Sequence, residues 1–201
     1  GSAPDQPYLW QCLTHVRQNK GFAAVLGSPV AQSWTPSFQR EFFDPYGIPV
    51  LAVDVREDEF EEAIPILREF GMRFAAVTAP LKGKAFELAS IHTVEARQFQ
   101  SVNTLAWTAK GWSGHNTDLG GATALIRDQF AKNVPVLVWG GGGTKRVLKE
   151  VLPRAEFVSA REGKLLTGPV DLVWAVGRDR EFAWPYPAVY VQSVVDLNYS
   201  E

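Results

Sequence analysis

The sequence predicts an α/β protein of two domains, with a mainly parallel sheet in the first domain and a second α/β domain after it. Short apolar runs alternate with segments whose apolar residues recur at helical spacing, which is typical of strands joined by helices in a parallel sheet. A run of glycines separates an apolar run from an amphipathic segment in the second half. The 201 residues, 46% of them apolar, suit one to two domains at about 100–200 residues each.

The first domain is predicted over residues 22–117, after an N-terminal segment at residues 1–21. Its strands are short apolar runs that end at turn-forming or charged residues: FAAVL (22–26), VLAVDV (50–55), FAAV (74–77) and VNTLAWT (102–108). Its helices follow from apolar spacing and from proline just inside a helix start: residues 36–46, 57–70 and 81–89. KGWSG (110–114) is predicted to be a turn.

The second domain is predicted over residues 118–201 and opens with a helix from Asp118. Residues 134–152 read as strand, glycine loop and helix. Three further apolar runs are predicted as strands: AEFVSA (155–160), DLVWAV (171–176) and AVYVQSVVDL (188–197).

Composition narrows the classes of function. The net charge is -2 without a basic block, so no nucleic-acid or membrane-surface partner is predicted. No apolar run approaches the roughly 20 residues of a membrane span. The single cysteine and three histidines without ligand spacing predict neither a disulfide framework nor a metal site. A cytoplasmic protein acting on a small molecule is the expectation.

The glycine loop is a candidate binding site for a dinucleotide. Glycines between a strand and a helix let the backbone approach a pyrophosphate, and the helix start favours an anion. The candidate residues are Gly140, Gly141, Gly142, Gly143 and Thr144. The G-x-G-x-x-G pattern is met only in part, because Lys145 takes the third glycine position, and a tight turn without ligand explains the run equally well. Arg161, after the next strand, suits the 2′-phosphate of NADP, or is a solvated surface arginine.

Polar side chains recur where predicted strands end. Ser33 and Thr35 are paired hydroxyls that can hold a carboxylate, or an ordinary turn before a helix. Asn103 and Thr104 at the head of an apolar strand suit a polyol ligand, and helix capping does not explain Asn103 there. Asn116 and Thr117 suit a polyol ligand, or cap the helix that begins near residue 118.

The stretch AVTAPLK (76–82) carries a hydroxyl and an ammonium group out of a buried strand. Lys82 held beside Asp118 can exchange a proton with a hydroxyl or carbonyl group. Both residues are otherwise solvated surface charges, as most lysines are.

Together these stretches resemble the successive motifs of the shikimate dehydrogenase family, in order and spacing. The motifs are GSPVAQSWTP (27–36), AVTAPLK (76–82), SVNT (101–104), GHNTDLGG (114–121) and VWGGGG (138–143), with VVDLNY (194–199) after a gap. The resemblance implies a substrate-binding α/β domain followed by a Rossmann-like domain. It also implies reversible reduction of 3-dehydroshikimate to shikimate with NADPH, in aromatic amino-acid biosynthesis.

The resemblance assigns roles to residues of this chain. Lys82 and Asp118 match the catalytic pair, and Asp118 also contacts substrate. The remaining substrate-binding positions are matched by Ser33, Thr35, Thr78, Asn103 and Tyr199. A positioned proton carrier agrees with the chemistry, since a ketone that accepts hydride must also receive a proton on oxygen.

The chain departs from the family pattern at several positions. Ala76 replaces an asparagine, Gln32 a histidine and Trp34 a lysine. Only nine residues, 162–170, separate Arg161 from the next strand, where the family has a helix and a strand. The resemblance therefore implies a shortened Rossmann-like NADP domain over residues 118–201. Two alternatives follow: a diverged protein that binds shikimate or quinate with weak or no NADP-dependent turnover, or an enzyme acting on quinate with NAD. SAPDQ (2–6) also resembles the closing loop of type I 3-dehydroquinate dehydratase, which implies a covalent fusion to that enzyme.

Overall fold

The computed structural model describes residues 21–31, 33, 35–129, 136–140, 142–158, 172–176 and 189–192. Backbone contacts divide the chain between Asn116 and Thr117 into two compact units. The boundary expected from the sequence lies one residue further on. Within the described ranges, no helix combines the length and apolar character that a membrane span needs.

The first unit alternates strands and helices. Its elements are β1 (Phe22–Gly27), α1 (Thr35–Phe43), a 3-10 turn (Asp44–Tyr46), β2 (Val50–Asp54), α2 (Phe60–Glu69), β3 (Met72–Val77), α3 (Lys82–Leu88), β4 (Ile91–His92), α4 (Val94–Phe99), β5 (Thr104–Thr108) and β6 (Gly111–His115). They form a six-stranded sheet in the order β2-β1-β3-β5-β6-β4.

The sheet is parallel except for one strand, β5. β1 pairs in parallel with β2 and β3, and β4 pairs in parallel with β6. β5 runs antiparallel to both β3 and β6. Only residues 109 and 110 join β5 to β6, and such a short connection closes an antiparallel hairpin but not a parallel crossover.

The strand β1 is buried on both faces, as the continuous apolar run at 22–26 predicts for a central parallel strand. Phe22, Ala24 and Leu26 lie in one apolar cluster, together with α2 and α3 residues such as Ile64 and Ala85. The alternate β1 residues lie in a second cluster, against which Phe43 of α1 packs. Packing on both faces holds β1 in the centre of the sheet, and the loop after β1 begins at the carboxyl edge of that sheet.

The second unit contains α5 (Asp118–Gln129), β7 (Val136–Gly140), α6 (Gly142–Val151), β8 (Glu156–Val158), β9 (Leu172–Val176) and β10 (Val189–Gln192). The strand order is β10-β9-β7-β8, and every pair is parallel. An all-parallel sheet with a helix directly after β7 agrees with the Rossmann-like domain that the resemblance implies.

Two expectations for the first domain are wrong in detail. The turn predicted at KGWSG (110–114) is mostly strand, because β6 begins at Gly111. Gly114 belongs in this strand for reasons of packing: a Cβ there would come within 2.7 Å of Val102 Cγ2 and 2.8 Å of Ala89 Cβ. The helix predicted at 57–70 begins only at Phe60, and Pro65 lies inside it without ending it.

Candidate functional site

The carboxyl ends of β1 and β3 lie side by side at a change of direction in the sheet. β2 and β3 flank β1 on opposite sides. The connection after β1 therefore leads to one half of the sheet, and the connection after β3 leads to the other half. Such a switch point leaves a crevice outside the strand ends, where ligands of open α/β sheets bind. Two hydrogen bonds hold the ends together: Thr78 N donates to Leu26 O (2.8 Å) and Ser28 N donates to Ala79 O (3.2 Å).

Gly27 permits the close approach of these two chain segments. A Cβ at this position would lie 2.4 Å from Thr78 Cγ2 and 3.2 Å from the carbonyl oxygen of Ala79. Real Cβ atoms do not come so close, so Thr78 would have to move. The glycine therefore positions the Thr78 side chain at the edge of the crevice.

The loop from β1 to α1 carries the predicted hydroxyl pair. Thr35 N donates to Ser33 Oγ (3.3 Å), and Ser33 N donates to Val30 O (3.0 Å). This pattern is an ordinary serine turn leading into a helix, which was one of the two interpretations of the sequence. The turn also places Ser33 in the loop that leaves the switch point and Thr35 at the first position of α1, so binding of a carboxylate by the two hydroxyls stays a prediction.

Asn103 lies at the same edge of the sheet, although its strand runs in the opposite direction. It directly precedes β5, whose amino end meets the carboxyl end of β3 because the two strands are antiparallel. Its carbonyl oxygen accepts from Val77 N (2.8 Å), and its own N–H donates to His115 O (3.0 Å). The Thr104 hydroxyl donates to Asn103 Oδ1 over 3.0 Å, which turns Nδ2 of the amide to the opposite side.

Lys82 is the first residue of α3 and is half-buried. The turn from Thr78 to Leu81 closes through a hydrogen bond from Leu81 N to Thr78 O (2.9 Å). Lys82 O accepts from Val102 N (3.0 Å), which ties the start of α3 to the residue just before Asn103. The structure thus brings the polar residues that the sequence predicts in this unit to one edge of one sheet: Ser33, Thr35, Thr78, Lys82 and Asn103.

Lys84, one residue further along α3, provides a contrast. Its Nζ lies 2.9 Å from Glu61 Oε1 and 3.8 Å from Glu87 Oε2. The hydrogen bond to Glu61, with the charges of Glu61 and Glu87, raises the pKa of this ammonium above its ordinary value. It therefore behaves as a surface ion-pair lysine and serves as a control for Lys82.

The second unit has its own switch point, at β7. β8 and β9 flank β7 on opposite sides, β7 ends at Gly140, and α6 begins at Gly142. Gly142, Gly143 and Thr144 therefore form the first turn of a ten-residue helix, whose free N–H groups and macrodipole favour an anion. These backbone features fit the pyrophosphate of a dinucleotide.

The other predicted site residues are Asp118, Gly141, Arg161, Tyr199 and Asn116. Asp118 opens α5 in the second unit, whereas Lys82 belongs to the first, so their pairing stays a prediction. Gly141, Arg161 and Tyr199 lie outside the described residues. The Asn116 amide is buried and donates to Ser101 O (3.0 Å), which joins the end of β6 to the chain before β5.

Sequence reasoning missed one residue that bonds to the loop after β1. Asp54, at the end of β2, accepts a hydrogen bond from Val30 N over 3.1 Å. An acid at a strand end is common, so no sequence signal singled it out. Thr104 was named with Asn103 as a possible polyol contact, and the structure shows that it orients Asn103.

Comparison with known proteins agrees with this arrangement. The family described as the shikimate dehydrogenase substrate binding domain matches residues 25–105. A shikimate dehydrogenase (NADP(+)) of Xanthomonas euvesicatoria is 34% identical over 217 residues, a match that covers 89% of this chain and 77% of the relative. The chain belongs to the shikimate dehydrogenase family.

Other members of the family are similar over different lengths. The shikimate dehydrogenase (NADP(+)) of Syntrophobacter fumaroxidans is 35% identical, covering 72% of this chain and 48% of the relative. The chain thus spans about half the length of such curated relatives.

Solved structures of the family share the fold. A shikimate dehydrogenase from Aquifex aeolicus superposes with a TM-score of 0.71 at 20% identity, over 86% of this chain and 78% of that one. The Thermus thermophilus enzyme, solved with NADP(H) and shikimate, has a TM-score of 0.57 at 27% identity, over 80% and 57% of the two chains.

Proposed function

We propose that the protein is an NADP-dependent shikimate dehydrogenase, which interconverts 3-dehydroshikimate and shikimate in aromatic amino-acid biosynthesis. The observation that carries the proposal is the cluster at the first switch point, where five polar residues named by the family motifs leave adjacent strand ends. Family membership and the names of the curated relatives support the same activity. The cofactor, substrate and site residues below are parts of this proposal.

The first unit holds the substrate in this proposal. Ser33 and Thr35 donate hydroxyl hydrogen bonds to the substrate carboxylate. Thr78 and Asn103 contact the ring hydroxyls, with Nδ2 of Asn103 as a donor. Asp118 contacts the substrate as well, and Tyr199 reaches it from late in the chain.

Lys82 handles the proton, with Asp118 as its partner. In the direction of ketone reduction, the ammonium of Lys82 donates a proton to the carbonyl oxygen as that oxygen becomes a hydroxyl. In the direction of oxidation, the lysine takes the proton back. A lysine at a strand-to-helix junction suits this role, because Val102 N bonded to its carbonyl oxygen fixes the backbone that carries it.

The second unit holds NADP, which supplies or accepts the hydride when bound. The first turn of α6 and the glycines before it, Gly140 to Gly143 with Thr144, bind the pyrophosphate through backbone N–H groups. Arg161 contacts the 2′-phosphate, which favours NADP over NAD and argues against the quinate enzyme that uses NAD.

Turnover of purified protein tests the proposal. We expect reduction of NADP when shikimate is added, detected by the absorbance of NADPH. Lys82→Ala is expected to lower kcat by about 10²–10⁴-fold, since it removes the proton carrier. Lys84→Ala removes a lysine from the same helix and is expected to leave kcat unchanged. Full turnover in Lys82→Ala would show that the proton role is assigned wrongly.

A second candidate function is a family member that binds shikimate or quinate with weak or no turnover. Lys145 favours it: this residue is half-buried in the first turns of α6, where a small residue is expected for close helix packing. Separate calorimetric titrations with shikimate and with NADP distinguish the two functions. Binding of shikimate without binding of NADP supports this second candidate.

We also propose that the chain is joined covalently to a 3-dehydroquinate dehydratase domain and works in the cytoplasm. The SAPDQ stretch at residues 2–6 supports the fusion. The single cysteine supports a reducing compartment. The reading frame upstream of residue 1 tests the fusion, because a frame without dehydratase motifs would remove its basis.

A further inference from the structure

Asp54 is joined to the predicted carboxylate-binding loop by a hydrogen bond across the sheet edge. It is the last residue of β2, and its register partner on β1 is Gly27. Its Oδ2 accepts from the backbone N–H of Val30, 24 residues earlier in the chain, over 3.1 Å. The bond therefore crosses from one strand end to the loop that leaves the neighbouring strand end.

From Val30 the hydrogen bonds continue to both hydroxyl residues. Val30 O accepts from Ser33 N (3.0 Å), and Ser33 Oγ accepts from Thr35 N (3.3 Å). Each bond restrains a residue whose other polar group makes the next bond. A displacement of Val30 N is therefore passed on to Ser33 and Thr35.

The loop has two further anchors that do not need the carboxylate of Asp54. The Val30 side chain is 1% exposed and packs in the apolar cluster on one face of β1. Val55 N donates to Gly27 O over 3.0 Å, which joins the same two strand ends by backbone atoms alone. Loss of the Asp54 carboxylate should therefore leave the fold in place while loosening the loop.

We propose that Asp54 is a positioning residue, which sets the placement of Ser33 and Thr35 for the substrate carboxylate through its hydrogen bond to Val30. This inference rests on the proposed function. Asp54 does not itself touch the substrate, and its charge would oppose an anionic ligand. Asp54 therefore acts on the loop through its acceptor oxygen and not through its charge. Solvent screens that charge, because the residue is exposed.

Two substitutions separate the acceptor from the charge. Asp54→Ala removes the acceptor, and we expect KM for shikimate to rise about 3- to 10-fold, the usual worth of one hydrogen bond, with kcat changed less than twofold. Asp54→Asn keeps an acceptor oxygen without the charge and is expected to restore KM to the wild-type value. Asp58→Ala is the matched control: its carboxylate pairs with Arg56 at the surface and bonds to none of the described residues of this loop, so KM should not change.

A second measurement does not depend on turnover. Amide hydrogen exchange at Val30 is expected to be faster in Asp54→Ala than in wild type and unchanged in Asp54→Asn. If Asp54→Ala does not fold, Asp54→Ser takes its place, because the shorter serine side chain brings its oxygen less far toward Val30.

The outcomes are distinguishable. Wild-type protein that neither oxidises nor binds shikimate overturns the proposed function and this inference with it. Wild-type turnover with an unchanged KM in Asp54→Ala overturns the inference alone. An equal rise of KM in Asp54→Ala and Asp54→Asn would also overturn it, because the charge and not the acceptor would then matter.

Discussion

The two units present the same topological feature with different chemistry. In each, a strand is flanked on opposite sides by the next two strands of its sheet, β1 in the first unit and β7 in the second. Around the end of β1 the chain carries hydroxyl, amide and ammonium side chains. At the end of β7 it carries glycines and the start of a helix. The first edge is suited to a polyhydroxylated acid recognised through side chains, the second to phosphates recognised through backbone N–H groups.

Among the variants that compare the two units, the largest effect is expected from a methyl group at the first switch point. Gly27→Ala should push Thr78 out of place, since the new Cβ would lie 2.4 Å from Thr78 Cγ2. We expect a loss of about 1–3 kcal/mol in the free energy of unfolding, as for other overpacked sites, together with weaker shikimate binding. Thermal melting and shikimate titration measure the two effects.

The matched control is Gly83→Ala in α3, where a Cβ would meet no atom within 4 Å. Because alanine is a better helix former than glycine, this variant should be more stable by about 0.5–1 kcal/mol. A Gly27→Ala protein as stable as wild type, with unchanged shikimate binding, would show that the close approach to Thr78 is unimportant.

A negative charge in the first turn of α6 should weaken NADP binding in the second unit without affecting shikimate binding in the first. Gly142→Asp places a carboxylate among the helix N–H groups, where it favours the helix but repels the phosphates of NADP. We expect NADP affinity to fall about 10- to 30-fold while shikimate affinity and melting temperature stay near wild type. Separate titrations with NADP and with shikimate measure the two affinities. An equal loss of shikimate affinity would contradict the assignment of the two ligands to different units.

The smallest of these effects is expected from a change at Thr104, which orients Asn103. Thr104→Val keeps the shape of the side chain but removes the hydroxyl that donates to Asn103 Oδ1. Because this bond sets the direction in which the amide oxygen faces, we expect KM for shikimate to rise about 2- to 5-fold with little change in kcat. Thr104→Ser should restore it.

Thr108→Val provides the control for Thr104 in the same strand. The Thr108 hydroxyl donates to Gly111 O (2.8 Å) at the far end of the hairpin. Its loss should lower stability by about 1 kcal/mol without changing KM. Equal changes of KM in the two valine variants would exclude a specific role for Thr104.

The sequence predicted the elements that repeat a strong pattern. β1 and β7 were predicted from unbroken apolar runs, because a strand that is buried on both faces needs apolar residues at successive positions. α6 was predicted from its position after the glycines. The short elements β4 and α4 were not predicted. Two residues of strand and six of helix are too short to show a period, although Thr93 caps the helix by accepting from Ala96 N.

The candidate site was predictable as a set of residues but not as a geometry. Motif order named Thr78 and Lys82, yet only strand pairing places Asn103 beside Val77. Asp54 was not predicted, because its role depends on the parallel register of β1 and β2, which no local pattern encodes. Contacts between distant parts of the chain decide such roles.

The pairing of β1 with β3 also bears on how the protein acquires its site during folding. Ala24 lies beside Ala75, and β3 then pairs with β5, where Ala76 lies beside Thr104. These partners are far apart in the chain, and pairings of that kind close slowly because the loop entropy is lost before the contacts form. Helices such as α2 form from local contacts. The sheet edge at the first switch point exists only after β1, β3 and β5 have paired. In a refolding experiment, shikimate binding should therefore return with the last sheet pairing and lag behind the recovery of helical signal.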